Sequence, residues 1–549
     1  MHLKVAIHNR AYNSWEFTQD DVKVDIPHLI PSKHKLLHDD IIHFKDDTVV
    51  IVESPFRNII LPGILILSKT YGRLGKRLLY KCIPDNKSLP VFLVPYTVDA
   101  TFSKVVKNKY IAFRFNHWLS DHPHGEIKDT LGDVDSLEAF NEYQLYRRGL
   151  HLSLTPFVKA SRVILRYNDP VQNILDKTNF GIDDLRSIKN VFTIDPADCT
   201  DFDDAFSTSE ENGVATINVY IANVFVWLET YSLWEHMTER VSTIYLPDKK
   251  RPMLPPLLSD DLCSLKQGAD RFTFMMSVKY DMQTLAQIGE PIFKNALIRV
   301  SKNYTYEDKK LEKNPAYKVL RTLAKTDDSH DVVAFWMIKM NVLAAEHLRS
   351  KGKGIFRTSD GENILEKPMF KGGGISRQAL PLGELVLPSV YSEVCAPHSQ
   401  LGVDAYVHIT SPIRRLVDIL NQILFQPEVS VLGQTFLDKW TRQLDLVNRA
   451  TKDIRKTQMD CELLVLAERG FTNDLSGILF DRNFVSGKYE YTVYLEEIKM
   501  FSRIKTENCI ENFTKSQFRI FVFDDEDRLC RKIRLQLREL VVFSEAYAL

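Results

Sequence analysis

Five aspartates fall within ten residues, Asp195, Asp198, Asp201, Asp203 and Asp204, and apolar side chains interleave them: Val191, Phe192, Ile194, Phe202, Ala205 and Phe206. The apolar residues demand burial, while two carboxylates about 4 Å apart repel by about 4 kcal/mol at an effective dielectric near 20. A chain with this window must therefore place acids at the edge of a core, where they raise one another's pKa or recruit a cation. Between Asn190 and Glu239 there are ten acids and no Lys or Arg, although the whole chain carries 71 basic and 72 acidic residues. The net charge of −1 excludes a uniformly basic, histone-like surface, so any polyanion must be met locally. Alternation aims Asp201 and Asp203 to one side, and a bend after Phe202 or Asp203 brings Asp204 and Asp195 towards the same ion. A solvated acidic loop remains the plain alternative, and a turn accounts for Asp198 after Pro196. An EF-hand is excluded, because counting from Asp201 puts Phe206 at the glycine position and Asn212 at the bidentate glutamate. Carboxylates with Mg²⁺ suit phosphoryl transfer or phosphodiester cleavage.

The 549 residues suit three or four domains. To about residue 165, short β-rich runs (47–54, 91–96, 109–115) separated by Pro, Gly, Asn and Asp predict two small barrels or sandwiches. From about 180 to 470 the pattern is α+β, with a strand-like run at 216–228 and helical stretches at 331–350 and 416–424. Strands return after about 472, at 488–497 and 518–523, then a turn at 524–527 and a run from Lys532 to Leu540 whose alternation puts Lys532, Arg534, Gln536 and Arg538 on one face. That face reads equally as a nucleic-acid backbone contact or as an ordinary solvated surface. The seven cysteines form no CxxC pair, which argues against a zinc ribbon and a disulfide framework. The longest apolar run, Ile59 to Leu67, holds Pro62 and Gly63 and is too short to span a bilayer, so the expectation is a soluble protein of the cytoplasm or nucleus.

A second element supplies positive charge. Thr410 or Ser411 before Pro412 predicts a helix start with Arg414 and Arg415 near the positive end of the dipole, an anion site. The alternative is a structural ion pair, with Asp418 four residues after Arg414.

The windows Thr193–Ala205 and Tyr406–Asp418 closely resemble the two signatures of the ribonuclease II family, which includes ribonuclease R and the exosome catalytic subunit. The run Ile244–Leu265 resembles the same catalytic domain, and Trp118–Ser136 resembles the second amino-terminal barrel of the exosome-subunit branch. The resemblance implies a multidomain chain: an α+β RNB catalytic domain at 171–471, flanked by all-β OB-fold barrels. Two would be cold-shock-like, at 1–85 (divergent) and 86–170, and one S1-like, at 472–549. It implies processive 3′-to-5′ hydrolysis of single-stranded RNA to nucleoside 5′-monophosphates with one or two Mg²⁺ ions. It further implies a monomer, without membrane attachment, open to recruitment by an RNA-decay assembly.

By position, the resemblance makes Asp195, Asp201, Asp203 and Asp204 the metal-site and catalytic aspartates, with Asp203 most tied to the chemical step. Arg414 matches the arginine that holds the scissile phosphate, Arg415 and Ser411 stand beside it as further RNA-binding residues, and Tyr245 and Tyr306 fall where aromatics stack on terminal bases. Asn223, Leu416, Gln422 and Ile423 depart from the family pattern, and the run from Phe356 lacks a histidine after Arg357. These departures leave open a catalytically weak or inactive RNA-binding relative on the same scaffold, and the metal site alone leaves open a DNA nuclease.

Overall fold

The computed structural model describes residues 1–98, 107–178, 180–359, 389–399, 401–468, 474–485, 487–498, 500–525 and 530–540. The chain divides into two compact units, one comprising Met1–His151, Leu246–Lys249 and Asp453–Leu549, the other Leu152–Tyr245 and Lys250–Lys452.

The first unit is β-rich. Its amino-terminal sheet orders the strands Val22–Val24, Trp15–Gln19, His2–Ile7, Ile41–Lys45 and Thr48–Glu53. Alternation in His2–Ile7 sends Leu3, Val5 and Ile7 inward. Next comes a closed barrel, ordered His124–Asp133, Phe92–Tyr96, Arg77–Pro84, Ile60–Leu74 and Lys109–His117. Sheet and barrel share a core that includes Val5, Phe17, Leu65, Phe92 and Phe113. Gly63 permits a close approach in the barrel, since a Cβ there would stand 2.7 Å from Cys82 Sγ and 2.9 Å from the Phe113 ring.

The boundary expected between 85 and 86 is corrected by this pairing, because it falls inside the barrel. Pro84, Asp85, Asn86 and Ser88 resemble a linker by composition, but they close a turn in which Asn86 Oδ1 accepts from Ser88 N at 2.9 Å. The strands on either side then pair from Cys82 with Phe92 to Leu78 with Tyr96. The short Pro55–Asn58 helix joins the amino-terminal sheet to the barrel.

At the carboxyl-terminal end a five-stranded sheet runs in the order Met500–Thr506, Lys488–Leu495, Leu475–Val485, Thr514–Asp525 and Cys530–Leu540. Its core includes Leu479, Tyr491, Val493 and Phe518. Arg534, Gln536 and Arg538 are exposed and Leu535 is buried, so the expected alternation is present. The side chain of Lys532 and residues 526–529 of the expected turn lie outside the described residues.

The second unit is built on a seven-stranded sheet, ordered Ile182–Asp184, Gln287–Arg299, Asp270–Asp281, Val214–Ala222, Asp204–Glu211, Phe192–Asp195 and Lys302–Thr305. Its two outermost pairings are parallel and the rest antiparallel. The 22-residue Ser329–Ser350 helix and the Pro315–Ala324 helix cover it, burying Trp336, Met340 and Ala344 against Phe206, Val219 and Met276. Asp328 starts the long helix by accepting from the N–H groups of His330 and Asp331. The apolar run at 216–228, expected as one strand, is instead a strand to Ala222 followed by the Val224–Thr230 helix. Asn223 makes the break, since its side chain caps Val226 N at 3.2 Å. The boundary of this unit falls at Lys452, part-way along the Leu444–Glu468 helix. Among the described residues no helix is long and apolar enough to cross a membrane.

Candidate active site

All of the candidate residues lie in the second unit. Asp195 ends the Phe192–Asp195 strand and Asp204 begins the antiparallel Asp204–Glu211 strand, with Phe192 opposite Phe206. The intervening loop is tied down by the Asp261–Leu265 run: Ser264 Oγ donates to Thr200 O at 2.9 Å and accepts from Phe202 N at 3.1 Å, and Leu265 N bonds Phe202 O at 3.0 Å. A turn from Pro196 to Cys199 leaves Asp198 exposed, which makes it the turn aspartate. The apolar neighbours that alternate with the acids, Phe192, Ile194 and Phe206, are core residues, so a wholly solvated acidic loop is excluded.

Burial dominates the electrostatics. Asp195 is raised to about 6 by burial, with Thr193 and Arg414 opposing. Burial lifts Asp203 to about 7 in spite of Arg414, and Asp204 is pushed well above the carboxylate range by burial and then by the charges of Asp195 and Asp203. Asp195 Oδ2 and Asp204 Oδ2 are buried with no hydrogen-bond partner. Asp201 and Asp203 differ from these two. Asp201 Oδ1 is 3.1 Å from Lys250 Nζ and its Oδ2 accepts from the Tyr245 hydroxyl at 3.3 Å. Asp203 accepts from Arg414 Nε and from Ile413 N, each at 3.1 Å. Among the described residues no three His, Cys, Asp or Glu side chains converge closely enough to hold a metal ion. The expected convergence of all four aspartates is thus not formed in this arrangement, in which Asp201 is held by Lys250 and Asp203 by Arg414.

Arg414 sits on a turn rather than in a helix. The expected helix start at Pro412 is corrected to Leu416, because Arg414 N and Arg415 N both return to Ser411 O, at 3.2 and 3.0 Å. The turn is sewn to the neighbouring segment by Thr243 N and Ser242 Oγ, which donate to Arg414 O at 2.9 and 2.8 Å. Asp418 partners Arg415 rather than Arg414: Arg415 Nη2 donates to Asp418 Oδ1 at 2.9 Å, Nε lies 2.9 Å from Oδ2, and Ser411 N donates to Oδ1 at 2.7 Å. Ser411 is buried, and its hydroxyl accepts from Arg414 Nη2 at 3.0 Å. Arg414 itself keeps 47% of its side chain exposed.

Tyr245, 39% exposed, reaches the carboxylates through its hydroxyl. Tyr306 is half-buried and stacked on His330 at 3.7 Å, and the charges of Asp204 and Asp195 help burial to raise its pKa. The residues that depart from the family pattern are structural. Asn223 bonds Asn295, Gln422 Nε2 donates to Ala222 O, and Leu416 and Ile423 are core. Arg357 packs over Tyr391. Lys250 and Asp260 belong to the site by contact, and nothing marked them beforehand except a lysine pair in the run after Tyr245.

A family model described as the RNB domain matches residues 182–318 and 380–428, which contain the aspartate loop and the Arg414 turn. This chain carries an RNB domain. Human exosome complex exonuclease RRP44 is 29% identical over 251 residues, 45% of this chain and 25% of that protein. The chain therefore spans about a quarter of that relative's length. The RNB chain also resembles two solved structures in fold. One, Mycoplasma genitalium RNase R in complex with ribose-methylated single-stranded RNA, has a TM-score of 0.69 at 16% identity and covers 98% of this chain and all of that one. The other, yeast Ssd1, described as a pseudonuclease, has a TM-score of 0.56 at 14% identity over 94% of this chain and 80% of that one.

Proposed function

We propose that this RNB chain is a magnesium-dependent exoribonuclease that shortens single-stranded RNA processively from the 3′ end and releases nucleoside 5′-monophosphates. The observation that carries the reading is the Asp203–Arg414 contact, made by residues 211 apart, which sets a guanidinium against a buried carboxylate cluster. Names of relatives support an exonuclease, and RNA is bound in the RNase R structure. Both point to RNA as the substrate class without deciding activity here, because the fold is also that of a pseudonuclease. The presence of Asp195, Asp201, Asp203, Asp204 and Arg414 together favours the enzyme.

The donor chemistry suits a hard divalent cation, since all four candidate residues offer carboxylate oxygens and two of these oxygens, on Asp195 and Asp204, are buried without partners. Magnesium bound there would lower the pKa of an attacking water and offset charge on the scissile phosphate. The remaining work falls to the chain's own groups. Asp203 and Ser411 take Nε and one Nη of Arg414, fixing the guanidinium so that its exposed edge can bind a phosphate oxygen and steady the charge that develops there. Arg415, locked to Asp418, is assigned a positioning role in holding the turn. Tyr245, and the Tyr306–His330 pair, are assigned to terminal-base stacking, which is indifferent to sequence because every base has a π-face. The flanking sheets are assigned as OB-fold barrels, cold-shock-like before the RNB domain and S1-like after it. The chain is proposed to act as an intracellular monomer.

The test is Asp203→Asn. It should abolish mononucleotide release while RNA binding, measured by anisotropy, is retained. Equal release by variant and wild type would remove Asp203 from the site, and equal digestion of RNA and DNA oligomers would contradict the choice of substrate.

A further inference from the structure

Lys250 places one ammonium group between two carboxylates and a hydroxyl: Asp201 Oδ1 at 3.1 Å, Asp260 Oδ1 at 2.8 Å and Thr200 Oγ1 at 2.7 Å. These contacts use all three of its N–H donors. The two carboxylates are unequal. Asp201 is 11% exposed and its other oxygen holds the Tyr245 hydroxyl, whereas Asp260 is 31% exposed and sits on the short Leu257–Leu262 π-helix at the edge of the cluster. Lysine is a compact charge on a flexible stem, so it can remain with Asp260 when Asp201 is withdrawn.

We propose that Lys250 is a built-in counter-ion that sets the affinity of the aspartate cluster for a divalent cation, with Asp260 as the seat that retains the ammonium when Asp201 becomes a ligand. The inference rests on the metal-site reading above. It explains why Asp201 is engaged while Asp195 Oδ2 and Asp204 Oδ2 stand without partners. It also makes the two members of the pair act in opposite directions. Removing Lys250 frees Asp201 and takes away a competing charge. Removing Asp260 leaves Lys250 no alternative seat and holds it on Asp201.

Isothermal titration of MgCl₂ into the full chain without RNA reads this directly, with far-UV circular dichroism confirming that each variant is folded. Lys250→Met should bind Mg²⁺ about fivefold more tightly, the factor expected of a partly exposed ion pair. Lys250→Arg should stay near wild type, and Asp260→Asn should bind more weakly. In the Lys250→Met background Asp260→Asn should have no further effect, since Asp260 acts only through the lysine. Unchanged or weaker binding by Lys250→Met overturns the proposal, as does an equal loss from Asp260→Asn in both backgrounds, which would mark simple charge summation. Asp204→Asn separates the two readings. If it abolishes binding while Lys250→Met changes nothing, only the lysine's role falls; if it binds Mg²⁺ like wild type, the metal site falls and the proposal with it.

Discussion

Removing the Asp418 carboxylate by Asp418→Ala strikes the support beneath Arg414 without touching Arg414. The side chain is fully buried, and it accepts Ser411 N at 2.7 Å and Arg415 Nη2 at 2.9 Å. Truncation strands a guanidinium that cannot deprotonate and whose side chain is only 26% exposed. Breaking a buried pair from one side costs about 3–5 kcal/mol, and an orphaned buried N–H adds about 1–3 kcal/mol. Partial rehydration of Arg415 lowers the sum, which leaves about 4 kcal/mol. For a body of this size that is a fall in melting temperature of roughly 6 °C. Asp418→Asn keeps an acceptor for Ser411 N and loses the charge, so its cost should be about half. The double variant Arg415→Met with Asp418→Leu removes both charges and should recover much of the loss. Differential scanning fluorimetry, following the transition that RNA-free and RNA-bound protein share, measures all three. A loss under about 1 kcal/mol for Asp418→Ala, or a double variant no better than the single one, would refute the buried-pair reasoning.

Further outcomes follow from other contacts. Tyr245→Ala should weaken RNA binding about tenfold through lost stacking, whereas Tyr245→Phe, which loses only the hydroxyl bond to Asp201, should stay within about twofold; anisotropy in EDTA separates ring from hydroxyl. Trp336 is fully buried and donates to Leu320 O, so Trp336→Ala should cost about 3–5 kcal/mol in chemical denaturation. His398 is lowered to about 4 by burial and then by Arg357, so the folded state holds it neutral while the unfolded state protonates near 6.5. Its share of stability is therefore present above about pH 6.5 and lost as pH falls towards 4, and His398→Gln should narrow the gap in melting temperature between pH 7 and pH 5. An unchanged gap would show that another group carries the acid sensitivity.

The chemistry of this chain is written locally and its geometry is not. The aspartates are legible because burial of Phe192, Ile194 and Phe206 forces the intervening acids to a core edge. Their partners are not, because Arg414 reaches Asp203 across 211 residues and Asp418 selects Arg415 through a turn that periodicity alone reads as helix. The break at 85 failed for a similar reason. Pro, Asn, Asp and Ser mark a turn equally well between domains and between two paired strands, and only the pairing of Cys82 with Phe92 distinguishes them. The single strand expected at 216–228 failed at Asn223, whose capping bond converts a continuous apolar run into strand and helix. Lys250 carried no signal of its own, since a lysine in a charged loop is ordinarily solvated.

The most direct measurement is the product ladder of a 5′-labelled single-stranded RNA incubated with the full chain and Mg²⁺. Shortening from the 3′ end to one small labelled limit product, with unlabelled nucleoside 5′-monophosphates released and all of it stopped by EDTA, is the predicted result. Labelled mononucleotide at early times, internal fragments, or RNA left intact by folded protein would contradict the account.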